Sequence, residues 1–474
     1  PGLDHKAVEV TLSNPADPPR GPGYWKFNTS LLSDKIYLDA TTRLLVTASA
    51  DLPGHPDPRA WWESVKADVK ALSIRHAARR KRQRTMRQTL LQARIAEAEA
   101  HRACHPDDPA ALAALHALRG ELVALEAEAL EGAMVRARAR RIERMERPAK
   151  GFSLLEKIRA QAGSIRSLKD PAGVPKTAPS DLLSIAHSFY SDLYSPDDTP
   201  QDDPAIDALL SSVPVRLDPD KASALDGPIT EAEVEEAILH LGRDRAPGLD
   251  GLPVEWYRAF LPALRIPLTH VFNFVLDHGP LPSMATGVTT LLYKKGDPEL
   301  MGNYRPIALI GHDLKAISRI LFRRLSPHAP SLIHPDQTAI SGRYIGTNVR
   351  LVLDFLDWLH TRRLKGGMLM LDQEKAFDRV SWHFMFRVLE AFGFSRRTVS
   401  RIRNLLSGSS TLIKLNNFLS DPVPLLRGVR QGDPLSPLLF ALCIEPLACA
   451  LRANPSLGFP LPGPTPSRLT CSLY

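Results

Sequence analysis

The chain has 474 residues, 44% of them hydrophobic, and a formal net charge of +8 at pH 7. That is enough for roughly two to four domains with packed cores, and a pI near 9.3 favours a polyanionic partner. Four cysteines without a Cys-x-x-Cys pair (Cys104, Cys443, Cys449, Cys471) argue against a disulfide framework or zinc site and for a reducing compartment. The longest apolar stretch, Leu435–Leu451, is interrupted by Glu445 and Pro446 and does not read as a membrane span. The N-terminus shows no secretory signal. The abrupt start at Pro1 and end at Tyr474 read as a piece of a longer polypeptide.

Near the start, Ala7–Leu12 alternates like a half-buried strand. Asp4 and His5 precede it, and GPGYWKFNTSLL follows at Gly21–Leu32. Trp61–Lys150 reads as helices. Its stretch Ile74–Arg87 is strongly basic, with Arg75, Arg79, Arg80, Lys81 and Arg82. Leu112, Leu115, Leu118, Leu122 and Leu125 recur at helical steps. CHPDDP at Cys104–Pro109 breaks the helix and restarts it, with Asp108 as cap and Pro109 in the first turn. This predicts an antiparallel hairpin of two long arms. The second arm runs into another basic stretch with Arg136, Arg138, Arg140 and Arg141. Such arginines form either a solvated face balanced by nearby acids or a grip on a nucleic-acid backbone that reads no sequence.

Ser195–Asp226 holds several Pro and Asp residues and reads as a flexible linker, taken as residues 196–227. Thr230 and Glu233 then form a capping box. Arg245–Gly251 is a Gly- and Pro-rich turn. Thr289–Tyr293 reads as a strand, followed by Lys294, Lys295, a loop and Arg305. Such a hairpin brings cations together as a clamp suited to a triphosphate; Lys294 and Lys295 are equal candidates. His312–Leu325 is a basic helix, and Ile345–Leu359 an amphipathic one expected to pack in the core.

Met368–Leu371 reads as a buried strand ending on Asp372, with Phe377 and Asp378 beyond. A carboxylate at a buried strand end is costly unless paired, and a divalent cation is one such partner. A cap on the next turn is the alternative. Asp378 is placed to cap the following helix. Strands at Thr411–Leu415 and Val423–Leu426 lead to RGVRQGD at Arg427–Asp433. This Gly-rich turn opens a helix with Pro434 in its first turn, where free N–H groups favour anions.

The blocks RAPGLDGLPVEWYRAF, LLYKKGDPELMGNYRPIAL, DQTAISGRYIGTNV, MLMLDQEKAFDRV and GVRQGDPLSPLLFAL, in this order from Pro228 onward, closely resemble the reverse transcriptase of LINE-type (non-LTR) retrotransposons. The resemblance implies an α+β fold, with the fingers and incomplete palm of a right-hand polymerase over residues 228–474. It implies RNA-directed DNA synthesis on a 3′-OH primer, with template RNA, target or primer DNA and dNTP as partners and no membrane. The expected ion is Mg²⁺ or Mn²⁺. Asp372 would be the catalytic metal ligand and the Gln373 carbonyl a second one. Lys294 or Lys295 would face the γ-phosphate and Arg305 the α-phosphate. Phe377 would exclude a ribose 2′-OH, and Gln431 and Gly432 would pack on the nucleotide and template base. Tyr474 would open a Tyr-Ala-Asp-Asp turn whose acids complete the metal site, so the chain alone is expected to be inactive. Residues 1–32, with Asp4 and His5, resemble the tail of the endonuclease domain in these elements. Residues 33–195 resemble its helical, basic linker. The family reading places the protein in a cytoplasmic ribonucleoprotein and the nucleus. Two alternatives are a non-enzymatic nucleic-acid-binding remnant and a mobile-intron reverse transcriptase, the second disfavoured by the endonuclease-like start.

Overall fold

The computed structural model describes residues 18–105, 108–137, 164–196, 203–338, 340, 342–454, 456–461 and 467–469. Among them helices outnumber strands, and the main sheet has four strands. The architecture is α+β, as expected.

Helix α1 (Lys35–Asp51) begins at Asp34, whose carboxylate caps Ile36 and Tyr37 and also meets His76 Nε2 at 2.8 Å. Helix α2 (Pro58–Cys104) is one uninterrupted helix of 47 residues, about 70 Å long at 1.5 Å per residue. Asp57 caps it and Pro58 takes N1, where the missing N–H costs nothing. Its first third is buried through Trp61, Trp62, Val65, Val69 and Ser73. Beyond Ala77 it packs against α3 (Pro109–Ala137), which Asp108 caps through Ala110 N at 2.8 Å, and Arg80 reaches back to Ser30 O. Leu91, Leu118 and Leu125 form the seam of this antiparallel hairpin, with Arg119–Glu99 at 2.7 Å outside it. The hairpin expected from CHPDDP is therefore present.

Helices α4 (Pro179–Leu193), α5 (Pro204–Ser211) and α6 (Pro219–Ala224) come next. The last two overturn the flexible linker over 196–227 for its residues from Asp203 on. Asp203-Pro204 and Asp218-Pro219 are Asp caps followed by N1 prolines, which is helix-start chemistry. Leu217, Ala222 and Leu225 are buried in the core. Helix α7 (Glu231–His240) carries the expected capping box. Helices α8 (Val254–Ala259) and α9 (Leu261–His278) bury Trp256, Tyr257, Phe272 and Val275. These share one core with Tyr37, Trp61 and Trp62, so α1 and the root of α2 pack into the same body as the residues after Pro228.

Strands β1 (Leu168–Lys169) and β2 (Pro175–Lys176) pair separately. The main sheet runs β4–β3–β5–β6. Here β3 is Thr286–Tyr293, β4 Tyr304–Leu309, β5 Ser410–Leu415 and β6 Phe418–Pro424. β3 is antiparallel to β4 and parallel to β5. Helix α4 covers this sheet with Leu182, Ala186, Tyr190 and Tyr194. Helices α10 (His312–Leu325), α11 (Ile345–Thr361), α12 (Trp382–Ala391), α13 (Arg396–Leu406) and α14 (Ser436–Ala453) complete the fold, with a small β7–β8 pair (Phe459–Leu461, Ser467–Leu469). By length and composition α14 could span a membrane, but Leu438, Leu439, Ala441 and Leu442 lie in the core.

Two expectations fail here. Met368–Leu371 forms no strand, and Leu369, Met370 and Leu371 are 80–81% exposed. Among the described residues no strand pairs with this segment, so it has neither a hydrogen-bonding ladder nor an apolar cover. Helix α11 is also not a core helix: of its apolar residues only Leu359 is buried, and Leu353 and Leu356 are exposed. Phe355 and Trp358 stack on each other and pack edge-on against Phe459.

Candidate nucleotide and nucleic-acid site

The β3–β4 hairpin sets the first half of the site. Leu292 faces Arg305 across the ladder, and the pairing continues through Lys294 N to Asn303 O at 3.0 Å. The turn is fixed by Tyr293 O–H to Gly296 O at 2.6 Å and by Asn303 Nδ2 to Asp297 O at 2.9 Å. Lys169 braces it from outside through Asp297 at 2.7 Å. Lys294, Lys295 and Arg305 are all exposed, and none has an ion-pair partner among the described residues.

The turn from Glu374 to Val380 sets the second half. Lys375 Nζ donates to Tyr304 O at 2.9 Å, which ties this turn to β4. Gly428 N donates to Val380 O at 2.7 Å and Val429 N to Phe377 O at 2.8 Å. The GVRQGD segment is thereby laced along the turn, and Gln431 O accepts from Ala308 N at 2.9 Å on β4. Both glycines are required here. Gly428 has φ +87°, and a Cβ would stand 2.7 Å from Asp378 O; Gly432 has φ +112°, with Ala308 O at 2.9 Å.

A narrow cleft lies between these parts, lined by Tyr194, Pro306, Asp378, Arg430 and Gln431 among others. Asp378 is its centre. Tyr194 O–H donates to Oδ1 at 3.2 Å and Gln431 Nε2 to Oδ2 at 3.1 Å. Burial pushes the Asp378 carboxyl up to about 6, against the pull of Tyr194, Lys375 and Gln431. Asp378 therefore does not cap α12. Ser381 does, because its hydroxyl is the one within reach of Phe384 N. Arg430 is buried beneath, donating to Ala285 O at 3.0 Å and to Ser409 Oγ.

The Arg245–Gly251 loop is held from below. Tyr24 O–H donates to Pro247 O at 2.9 Å, and Phe27 N to Gly251 O at 3.0 Å. Asp250 and Asp313 both crowd Gly311, where a Cβ would meet Asp313 Oδ1 at 2.4 Å and Asp250 Oδ2 at 3.4 Å. Lys66 reaches in from α2 and bonds Asp313 Oδ2 at 3.0 Å; Trp62 Nε1 reaches the same oxygen at 2.9 Å. Burial raises the Asp250 carboxyl to about 7, opposed by Lys66 and helped by Asp313 and Glu63. For Asp313 the attraction of Lys66 and the Trp62 bond outweigh burial and hold the carboxyl low.

The sequence-predicted residues divide as follows. Gln431 lines the cleft, whereas Lys294, Lys295 and Arg305 stand exposed on the β3–β4 hairpin outside its lining, and Gly432 packs beside Ala308. Gln431 spends its amide N–H on Asp378, and the open side of Gly432 faces Ala308. Phe377 stacks on Phe440 of α14, centroids 4.7 Å apart and planes 16° apart. Asp372 and Gln373 are exposed at the end of the unpaired segment, so the expected buried, partner-demanding carboxylate is not there. Arg75, Arg79, Arg80, Lys81 and Arg82 are exposed on the outer part of α2; Arg80 also donates to Ser30 O at 3.1 Å. Asp4, His5, Arg138, Arg140, Arg141 and the Arg136 side chain lie outside the described residues. Asp378, Tyr194, Lys66 and Asp313 were missed as a polar framework. Only the acid in a Phe-Asp pair beside an apolar run hinted at the first.

Residues 293–474 match the family described as "Reverse transcriptase (RNA-dependent DNA polymerase)". Along 95% of its length the chain is 32% identical to "Transposon TX1 uncharacterized 149 kDa protein" of Xenopus laevis, covering 34% of that protein. It is 35% identical over 235 residues (49% of the chain, 32% of the relative) to a "Retrovirus-related Pol polyprotein from type-1 retrotransposable element R2" of Popillia japonica. It is 25% identical over 230 residues (47% of the chain, 25% of the relative) to "Probable RNA-directed DNA polymerase from transposon X-element" of Drosophila melanogaster. The chain thus spans about a quarter to a third of these relatives.

Proposed function

Because this chain belongs with the reverse transcriptases of LINE-type (non-LTR) retrotransposons, we propose that it supplies the fingers and part of the palm of an RNA-directed DNA polymerase. Its partners are template RNA, a primer end on target DNA, and dNTP. The observation that carries the reading is the hairpin register. Side chains alternate along a strand, so Lys294, two steps beyond Leu292, falls on the face of Arg305. Lys294 also adds to the lowering of the Lys375 amine, behind burial. This favours Lys294 over Lys295 as the triphosphate lysine. Two cations on one exposed face of the hairpin are suited to a polyphosphate, since charge-assisted bonds to phosphate are the strong ones.

The family generally uses divalent metal ions, and hard oxygen donors favour Mg²⁺. The described residues do not by themselves make such a site. Asp372 is a single exposed carboxylate, and no group of three His, Cys, Asp or Glu side chains converges among them. We assign Asp372 the share of one ligand and derive no step through the ion. The residues that are in place bind and orient: Arg305 and Lys294 hold phosphate, and the Asp378–Gln431 bond fixes the floor of the cleft. The outer part of α2 holds nucleic-acid backbone by charge.

The exposure of Asp372 also favours a second reading, a nucleic-acid-binding remnant without catalysis. Primer extension on an RNA template with dNTP and Mg²⁺ separates them, run on this chain and on chains extended downstream. Extension lost in Asp372→Ala and Arg305→Ala, with RNA binding kept, supports the polymerase. Unchanged extension in both variants refutes these assignments. RNA binding without dNTP use in every extended chain leaves the remnant.

A further inference from the structure

At the root of α2 the chain gathers a second set of cations, away from the exposed basic stretch. Lys26 Nζ lies 5.0 Å and Lys414 Nζ 5.9 Å from the centroid of the Tyr24 ring, so two lysines from distant segments flank one ring. Lys70 Nζ lies 5.6 Å from the ring of the adjacent Trp25. Arg20 adds its charge to Lys414 from the same neighbourhood. None of the four has a carboxylate partner among the described residues. Burial lowers the Lys26 amine, and the Lys414 amine is lowered by burial and then by Lys26 and Arg20. Like charges drawn together without counter-charge store repulsion that a bound polyanion relieves.

The cluster is built, not incidental. Gly21 N bonds Asn416 O and Gly23 N bonds Asn417 O, each at 3.0 Å, at the β5–β6 turn. A Cβ on Gly21 would stand 2.7 Å from the Asn417 carbonyl, so the segment lies flush against that turn. The cluster also has a direction. On one side Tyr24 and Trp25 touch Pro247 and Gly251. On the other, exposed Lys81 and Arg84 follow Lys70 at eleven and fourteen positions, spacings that return to the same helix face.

We propose that Arg20, Lys26, Lys70 and Lys414, set around Tyr24 and Trp25, hold the phosphate backbone of a single RNA strand between the α2 arm and the Arg245–Gly251 loop. Naming that strand the template rests on the polymerase reading; the binding site itself does not. Lysines over aromatic rings suit a track that grips backbone and tolerates any base.

The test is fluorescence anisotropy of the full chain with a short labelled single-stranded RNA as salt is raised. Lys26→Gln/Lys414→Gln should flatten the slope of log affinity against log salt by about 1.4, at about 0.7 per lost phosphate contact, and weaken binding about tenfold at about 0.15 M salt. Lys70→Gln, at an exposed position that folding does not need, should flatten it by about 0.7. Unchanged slopes in both variants overturn the site. Equal losses on duplex DNA overturn its assignment to an RNA strand. These slopes, together with a failure of every chain extended downstream to extend a primer, refute the polymerase reading and keep the site.

Discussion

Lys66→Met tests the buried framework that joins α2 to α10. The substitution keeps the length of the stem and removes the ammonium. Lys66 is 6% exposed and Asp313 1% exposed, so water cannot replace the lost partner. Asp313 keeps two donors, Trp62 Nε1 at 2.9 Å and Leu314 N at 2.7 Å. Breaking a buried pair on one side costs about 3–5 kcal/mol; the two remaining donors put this case near the lower end, about 3 kcal/mol. Asp313→Asn in the same background removes the stranded charge but leaves one acceptor where there were two. It should restore roughly half of the loss, since one donor then goes unpaired at about 1–3 kcal/mol. Urea unfolding followed by tryptophan fluorescence reads both, with Trp62 itself as a reporter at the site. A loss below about 1 kcal/mol for Lys66→Met, or strict additivity of the two single substitutions, would refute the argument.

Asp378 predicts a pH effect. Its carboxyl sits near 6 in the folded chain against an ordinary value of 3.8, so the folded state holds the extra proton between those values. Its stabilising contribution is complete below about pH 4, declines toward pH 6 and is then gone; Asp378→Asn should flatten the stability–pH curve in that window, and an unchanged curve would remove the shift. Gly428→Ala should cost more than about 2 kcal/mol, because it forces a side chain onto φ +87° and against the Asp378 carbonyl. Gly408→Ala, at φ +65° in open space, should cost only about 1 kcal/mol in the same thermal melts, and equal costs would dismiss the close approach. Phe377→Val in an active extended chain should raise ribonucleotide use relative to deoxyribonucleotides and lower stability through loss of the Phe440 stack. A lowered stability with an unchanged sugar ratio would make Phe377 a packing residue only.

What was legible in the sequence was local. Thr230 and Glu233 announce their helix because the capping box closes within one turn. Asp108-Pro109 announces α3 for the same reason, and the β3–β4 hairpin needs only a strand and its return. Asp203-Pro204 and Asp218-Pro219 carried the same signal but were outweighed by their polar surroundings. The losses are long-range. Met368–Leu371 has the composition of a strand, yet a strand exists only beside another, and its neighbour is not encoded in its own residues. Tyr194 meets Asp378 across 184 residues and Lys66 meets Asp313 across 247. No spacing rule connects such partners.

Helix α2 has a mechanical consequence. It is a stiff rod clamped at one end, with a free span of about 40 Å beyond Ala77. Any load taken up at the free end becomes a bending moment at the clamp, where leverage is greatest. The clamp adds directional bonds to its apolar packing: Lys66 and Trp62 grip Asp313 in the opening turn of α10. Apolar contacts can slide, but these bonds resist small rotations until they break. Tension on a nucleic acid wound around the arm would thus arrive at the Arg245–Gly251 loop as a push on Gly311 and Asp250, with little of it absorbed along the way.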